Sequence, residues 1–127
     1  MNLPTNTHST EVAIIVRLCE QLHAAGYAPC AVYDGEEYQT AAGELVNFEI
    51  ATQDPLSTDA VIEYATAVED CTIHFRRIGK LTWGHTGVFL VFGNSPSELI
   101  SDYHCGDKDF AAVVDSVSKW ADDQVQS

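Results

Sequence analysis

The spacing of apolar residues changes along this chain, and this change constrains the fold more than any other feature. Apolar residues recur every three or four positions in residues 10–25, 58–69 and from 107 onward, which is the period of one helix face. By contrast, residues 72–78 alternate between apolar and polar, and residues 87–92 are continuously apolar. Those two patterns are typical of a half-buried strand and of a strand covered on both faces. The chain is therefore expected to contain both helices and strands.

The remaining segments predict how the strands are connected. Residues 31–33 and 38–40 flank the turn dipeptide Asp34-Gly35, and this arrangement predicts a β-hairpin. Residues 44–50 fit a strand or a helix, with alternation favouring the strand, and residues 99–104 form a third strand of a meander. The order helix, hairpin, helix, meander and helix predicts an α+β fold, a two-layer domain in which amphipathic helices pack on a mostly antiparallel sheet.

A length of 127 residues predicts one domain. Residues 1–9 are polar, contain Pro4 and show no periodicity, so we expect them to form a flexible arm. Ser9 or Thr10 would then cap the first helix, and residues 10–127 would form the single α+β domain.

The charge of the chain is strongly negative, with 19 Asp and Glu against 6 Lys and Arg and a net charge of -13. Proteins that bind DNA or RNA gain affinity from Lys and Arg on phosphates, so direct nucleic-acid binding is not expected. No apolar run reaches the roughly 20 residues that span a bilayer, and the start of the chain lacks the basic residues of a signal peptide. We expect a cytoplasmic protein that does not bind membranes.

The charges are also unevenly distributed along the sequence. Residues 1–75 hold 12 carboxylates and one basic residue, Arg17, whereas Arg76, Arg77 and Lys80 place half of the positive charge within five residues. An anionic surface accelerates encounter with a basic site on another protein and rejects acidic partners. In the first fifty residues, the candidates for such a surface are Glu11, Glu20, Asp34, Glu36, Glu37, Glu44 and Glu49.

These carboxylates predict a non-enzymatic binding protein whose partner carries a basic surface. Carboxylates at phosphate spacing would make it a mimic of nucleic acid, while an acidic surface that only maintains solubility explains the composition equally well. Trp83, in a loop with two glycines, is the predicted anchor, and a hairpin-loop tryptophan that folds back on the core is the equally weighted alternative. The predicted partner-binding residues are Glu36, Glu37, Glu44, Glu49, Trp83, Asp122 and Asp123.

The basic cluster has two interpretations. Arg76, Arg77 and Lys80 could bind a phosphate or a carboxylate-bearing ligand, because arginine offers a bidentate fork. Internal pairing with the chain's many carboxylates is the favoured alternative. Alternation along a strand also places Arg76 and Arg77 on opposite faces, which disfavours one shared ligand.

Four cysteines and five histidines raise the question of a metal or catalytic site. No Cys-x-x-Cys pair and no nucleophile or phosphate-binding motif occurs, so we expect no metal, no cofactor and no catalytic residue. The alternative is a small enzyme or ligand-binding domain with a site near His74, Asp102, His104 and Cys105. If residues 72–78 and 99–104 form neighbouring strands, Cys71, His74, His104 and Cys105 could also meet.

Another alternative is a self-associating structural protein. Phe89 and Phe92 would mark its interface. We accordingly expect a monomer or a homodimer.

Three short segments carry a resemblance to a known class of proteins. They are Tyr33-Asp34-Gly35-Glu36-Glu37, Phe92-Gly93-Asn94 and Leu99-Ile100-Ser101-Asp102-Tyr103. On these segments the chain resembles small accessory proteins of tailed bacteriophages and related mobile elements. The resemblance implies a setting inside a bacterial host and no known activity. Small acidic phage proteins of this kind resemble inhibitors that bind host defence or nucleic-acid machinery.

Overall fold

Six antiparallel strands form one sheet in the computed structural model, and three helices pack on one face of it. The structure describes residues 3–41, 43–45, 54–78, 87–92, 98–104 and 108–126. The predicted α+β fold with a helix-packed sheet is confirmed. The helices are α1 (Leu3–Ala24), α2 (Thr58–Thr66) and α3 (Lys108–Gln126), and the strands are β1 (Tyr27–Tyr33), β2 (Tyr38–Thr40), β3 (Gly43–Leu45), β4 (Asp70–Arg77), β5 (Gly87–Val91) and β6 (Ile100–His104).

The strand order is β3-β2-β1-β4-β5-β6, so the sheet grows outward from the central pair β1 and β4. These two strands are distant in sequence and pair antiparallel, with Val32 opposite Ile73 and Tyr33 opposite Thr72. Antiparallel pairs of consecutive strands extend the sheet on both sides, with β2 and β3 beyond β1 and with β5 and β6 beyond β4. The end of β1 and the start of β4 therefore lie side by side.

Helix α1 begins at Leu3, seven residues before the predicted start at Thr10. The expected arm over residues 1–9 is wrong for residues 3–9, which are helical, and the predicted cap at Ser9 or Thr10 is wrong with it. The misleading signal was Pro4. Proline is accepted in the first turn of a helix, where its missing N–H would have had no intrahelical partner.

The C-terminal end of α1 follows the prediction. The Gly26 N–H donates to the His23 carbonyl at 3.0 Å, and Gly26 has a φ of 98°. A positive φ is inexpensive for glycine, which lets the chain leave the helix and enter β1 directly. The face of α1 that packs on the sheet is formed by Ile14, Ile15, Leu18 and Leu22, all fully buried.

Strand β1 begins at Tyr27, four residues before the predicted strand, and it includes Pro29. On β1, strand β2 pairs with Val32 and Tyr33, at the end of the strand. Over the first half of β1 a different segment covers that edge, since the Leu56 N–H donates to the Pro29 carbonyl at 2.7 Å. Proline is tolerated at such an edge because it has no backbone N–H that would need a hydrogen-bond acceptor on a neighbouring strand.

Helix α2 has an N-terminal cap at Ser57. The Ser57 hydroxyl accepts a hydrogen bond from the Ala60 N–H at 3.1 Å, satisfying one of the free donors of the first turn. Leu56, Val61 and Ala65 are buried in the core. The helix ends at Thr66, three residues before the predicted Glu69.

Aromatic side chains link α3 to the centre of the sheet. Phe110 makes edge-to-face contacts with Tyr27 and Phe75, with ring centroids 5.1 and 5.8 Å apart, a preferred geometry for aromatic pairs. Phe75 and Phe110 are fully buried, and each such burial contributes roughly 1.5–3 kcal/mol. The Tyr103 hydroxyl on β6 bonds the Asp115 carboxylate on α3 at 2.9 Å, fastening the helix to the last strand.

Candidate functional site

The turn between β1 and β2 is a tightly bonded acidic loop. One carboxylate oxygen of Asp34 accepts hydrogen bonds from the N–H groups of Glu36, at 2.9 Å, and Glu37, at 2.8 Å. The Asp34 N–H donates back to the Glu37 carbonyl at 3.1 Å. Gly35, with a φ of 104°, supplies the left-handed conformation that the turn needs. The sequence-predicted hairpin is therefore present, and its backbone is fixed by one of its own acidic side chains.

This hydrogen bonding keeps Asp34 ionised. The backbone N–H groups of Glu37 and Glu36 lower the pKa of the Asp34 carboxyl, because they stabilise its charged form. The side chains of Glu36 and Glu37 are exposed. Two of the predicted partner-binding residues thus stand next to each other on a fixed backbone.

Two tyrosines flank the loop and were not predicted as part of a site. The rings of Tyr33 and Tyr38 are 4.5 Å apart at an angle of 31°, and the Tyr33 hydroxyl donates to the Gly35 carbonyl at 2.8 Å. The two residues are direct cross-strand partners. The signal was available in the sequence, because a four-residue turn at residues 34–37 places positions 33 and 38 opposite each other.

The start of β4 brings further carboxylates to the same end of the sheet. Glu69 and Asp70 are exposed there, and Thr72 pairs with Tyr33, the residue before the turn. Burial and, to a smaller extent, the charges of Asp70 and Asp34 together raise the pKa of the Cys71 thiol to about 12, so these two carboxylates act on one buried atom. We call this set the acidic end. It consists of Asp34, Glu36, Glu37, Glu69 and Asp70.

The two arginines of β4 lie at the opposite end of that strand. Seven residues separate Asp70 from Arg77, or about 23 Å at about 3.3 Å per residue. Arg77 donates to the Tyr27 hydroxyl at 3.0 Å and lies 5.2 Å from the centre of its ring. Arg76 is the cross-strand partner of Ala28, and its charge lowers the pKa of the Cys30 thiol against the larger effect of burial. The two arginines are consecutive residues of the strand, which places their side chains on opposite faces of the sheet as predicted. They also contact different residues, and this arrangement does not favour one ligand held by both.

Other predicted binding residues are scattered or lie outside the described residues. Glu44 is on β3, opposite Gln39. Asp122 and Asp123 are exposed near the C-terminal end of α3, on a separate element from the acidic end. Residues outside the described part of the chain are Glu49, Lys80, Trp83 and Cys105.

Glu11 and Arg17 do not belong to an open charged surface. Glu11 is 4% exposed, so its place among the candidate anionic residues is wrong. Arg17, the basic residue of the first 75 positions, lies 4.6 Å from the centre of the Trp120 ring on α3. This cation–π contact joins α1 to α3.

The alternative site near His74, Asp102, His104 and Cys105 includes residues of β4 and β6, and these strands are not neighbours. A metal cluster of Cys71, His74, His104 and Cys105 depended on neighbouring strands, and that expectation is wrong, while the alternative site stays a prediction. Strand β5 separates β4 from β6. His74 is the partner of Gly87, and Gly87 in turn is the partner of His104. Asp102 accepts a hydrogen bond from the next residue, through the Tyr103 N–H at 2.8 Å. Among the described residues, no group of three His, Cys, Asp or Glu side chains is arranged to hold a metal ion.

His74 is nevertheless an unusual residue. It is 8% exposed, with its ring 5.6 Å from that of Tyr38. Burial lowers its pKa to about 4, because a charged imidazole is poorly solvated there. A Cβ added at Gly87 would lie 3.4 Å from His74 Nδ1 and 3.1 Å from Thr72 Cγ2, so glycine leaves room for the ring.

The described cysteines lack the character of nucleophiles. Cys19, Cys30 and Cys71 are buried free thiols. Burial raises their pKa to about 12, 11 and 12, respectively, whereas a nucleophilic cysteine needs accessible thiolate.

The two phenylalanines proposed for self-association occupy different environments. Phe92 packs against the hydrophobic core, so it belongs to the fold. Phe89 is half-buried and pairs with Thr72 and Asp102 across the sheet. The two residues therefore do not form a common patch.

Comparison with known proteins gives no match: no protein-family model, curated protein or solved structure is significantly similar to this chain. In the part of the chain that the structure describes, no helix has both the length and the apolar character needed to cross a bilayer.

Proposed function

We propose that this chain is a non-enzymatic binding protein that uses the acidic end to engage a basic site on a partner protein. The observation that carries the proposal is the pair of hydrogen bonds from the Glu36 and Glu37 N–H groups to the Asp34 carboxylate. They fix the backbone that carries two exposed glutamate side chains before a partner arrives. Preorganisation reduces the ordering entropy that binding would otherwise cost.

The charge distribution along β4 supports the same proposal. Glu69 and Asp70 add to the turn carboxylates at one end of the strand, while Arg76 and Arg77 lie at the other. A partner with a basic surface is attracted to the acidic end and repelled by the arginine end. The separation therefore favours one orientation of approach, which is the main contribution of charge to a protein interface.

The expected partner follows from this chemistry and from the sequence resemblance. A basic site on a bacterial protein that binds DNA or RNA presents Lys and Arg side chains spaced for phosphates. The acidic end would occupy that site and exclude the nucleic acid. In a phage-encoded protein this activity would inhibit host defence or nucleic-acid machinery.

Affinity capture from a bacterial host lysate tests the proposal when three forms of the protein are compared. They are the natural sequence, the double variant Glu36→Lys with Glu37→Lys, and a control with Asp54→Lys and Glu63→Lys. All four positions are exposed, and both variants change the net charge equally. We expect the natural form and the control to retain one common partner and the turn variant to lose it. Equal retention by all three forms would contradict the proposal.

Competition with nucleic acid tests the inhibitor function separately. If the captured partner binds duplex DNA or RNA, the natural protein should displace that nucleic acid, and the turn variant should not. A partner held at the acidic end together with its nucleic acid would support the binding proposal and contradict mimicry.

A further inference from the structure

A row of paired residues crosses the sheet next to the acidic end. It takes one residue from each of the strands β2, β1, β4, β5 and β6, and directly paired residues point to the same face of a sheet. On β4, the positions before and after the row, Cys71 and Ile73, are buried in the core beneath the helices. The row therefore lies on the face that points away from the helices. Its residues are Tyr38, Tyr33, Thr72, Phe89 and Asp102.

The middle of this row forms a notch. Thr72 has a small side chain between two aromatic ones, Tyr33 and Phe89, and all three residues are half-buried. The backbones of Tyr33 and Phe89 are two strand spacings apart, or about 9.6 Å. Two van der Waals contacts of about 3.5–4.0 Å each take up about 7–8 Å. One planar group therefore fits between the two aromatic side chains, above Thr72, and we call this place the Thr72 notch.

The acidic turn fixes one wall of the notch. The Tyr33 ring stacks on the Tyr38 ring at 4.5 Å, and the Tyr33 hydroxyl donates to the Gly35 carbonyl at 2.8 Å. Tyr38 lies on the β2 side of Tyr33, and β4 lies on the other side. The ring face that Tyr38 leaves uncovered is therefore directed across Thr72. Because the ring is already oriented, a group that stacks on it loses less entropy on binding.

The charge next to the notch is negative. Asp70 stands two residues from Thr72 on the same face of β4, or about 7 Å away, and it is exposed. His74, two residues in the other direction, is uncharged at neutral pH because burial lowers its pKa to about 4. Arg76 follows on this face, about 13 Å from Thr72, whereas Arg77 points to the opposite face. A cation in the notch is therefore closer to a carboxylate than to either arginine of β4.

We propose that the Thr72 notch binds an arginine side chain of the basic partner, stacked between Tyr33 and Phe89 and paired with Asp70. The inference rests on the proposed function, because it names the residue type by which a basic partner is anchored beside the acidic end. Arginine fits better than lysine, since its guanidinium is planar, weakly hydrated and able to stack on aromatic rings. A nucleobase is also planar, but its phosphates would be repelled by Asp70 and by a net charge of -13.

Two peptides of equal charge test this inference on the intact protein by nuclear magnetic resonance titration. They are acetyl-(Gly-Arg)3-amide and acetyl-(Gly-Lys)3-amide. We expect the arginine peptide to bind at least about threefold more tightly and to shift the backbone amides of residues 33, 72 and 89. Equal binding of both peptides would overturn the notch and leave the proposed function standing. Binding of neither peptide at low salt would overturn the notch and also contradict the acidic end.

Two matched pairs of variants separate the notch from the fold. Tyr33→Phe keeps the aromatic ring and should retain the preference for arginine, whereas Tyr33→Leu should abolish it. Thr72→Val has nearly the shape of threonine and should retain the preference, whereas Thr72→Ile fills the notch and should abolish it. The affinity of the lysine peptide should change by less than about twofold in all four variants, which shows that each is folded. Loss of the preference in both members of a pair would overturn the proposal.

The contact with Asp70 has its own control. Asp70→Asn and Asp54→Asn each remove one exposed carboxylate. We expect Asp70→Asn to weaken binding of the arginine peptide by about threefold and Asp54→Asn to weaken it by less than about 1.5-fold. Equal losses in the two variants would mean that only net charge matters and would overturn the pairing with Asp70.

Discussion

Asp34 binds the backbone N–H of Glu37 through its carboxylate at 2.8 Å, while its own N–H reaches the Glu37 carbonyl at 3.1 Å. These two residues therefore close the turn from both sides. The same carboxylate accepts the Glu36 N–H. One acidic side chain thus determines where the next two acidic side chains stand, which makes the turn a structural feature as well as a charged one.

Replacing Asp34 should loosen the turn without disturbing the sheet. Asp34→Ala removes the acceptor for two N–H groups, so we expect the Glu36 and Glu37 amides to exchange with solvent at least about fivefold faster. Asp54→Ala removes an equally negative exposed residue and should leave both amides unchanged. Hydrogen exchange followed by nuclear magnetic resonance measures this. Unchanged exchange in Asp34→Ala would contradict the assigned role of the carboxylate.

His74 should make the protein less stable in acid. Its pKa is about 4 in the folded protein and 6.5 in the absence of burial, so the unfolded chain takes up the proton first as pH falls. The stabilisation is complete above about pH 6.5 and is lost towards pH 4, with a total of about 3 kcal/mol. Urea unfolding at several pH values measures the free energy of unfolding across this interval.

The contribution of His74 must be separated from that of the carboxylates. Asp34 also has a lowered pKa, and stability from a carboxylate is likewise lost as pH falls through its folded pKa. His74→Gln keeps a polar side chain that does not titrate. We expect this variant to lose about 3 kcal/mol less than the natural protein between pH 7 and pH 4. If the free energy of unfolding depends on pH in the same way for His74→Gln and for the natural protein, the His74 imidazole is not held neutral in the folded state.

Gly87 should be required for close packing of β4 on β5. A methyl group there would meet Thr72 Cγ2 at 3.1 Å and His74 Nδ1 at 3.4 Å, so Gly87→Ala should destabilise the protein by about 1–2 kcal/mol. Thr72→Ser removes the closer atom. In a double-mutant cycle measured by thermal unfolding, Gly87→Ala should therefore cost less when Thr72→Ser is present. Strictly additive effects would show that Thr72 is not the obstacle.

The described cysteines should be inert in the folded protein. In a Cys105→Ser background, Cys19, Cys30 and Cys71 remain, and their raised pKa values and burial leave little accessible thiolate at pH 8. We expect a thiol-specific chromogenic reagent to react at least about a hundredfold more slowly with the folded chain than with the urea-unfolded chain. Rapid reaction of the folded variant would renew the case for a nucleophilic site.

Local sequence signals predicted most of the elements. The strand at β5 and the apolar face of α3 are predicted from residues close together in the sequence, and the structure confirms both. The predictions that are wrong involve proline, which is compatible with more than one local structure. Pro4 was interpreted as a loop signal although it fits the first turn of a helix, and Pro29 obscured the start of a strand whose edge Leu56 covers.

The candidate site was only partly predictable, because much of it depends on pairing between distant segments. The acidic turn and its exposed Glu36 and Glu37 are local and were predicted. Glu69 and Asp70 lie beside the turn because β1 pairs with β4. No local sequence pattern specifies that pairing. The same pairing order places β5 between the strands of His74 and Asp102, which no local pattern specifies either.

The association rate with the captured partner tests the central claim most directly. We expect the rate constant of the natural protein to fall by about tenfold when salt rises from about 20 to about 200 mM, since screening weakens attraction between exposed charges. At low salt, Glu36→Lys with Glu37→Lys should be about tenfold slower than the natural protein, and Asp54→Lys with Glu63→Lys less than about threefold slower. Equal rates for all three forms, or a rate independent of salt, would contradict binding through the acidic end.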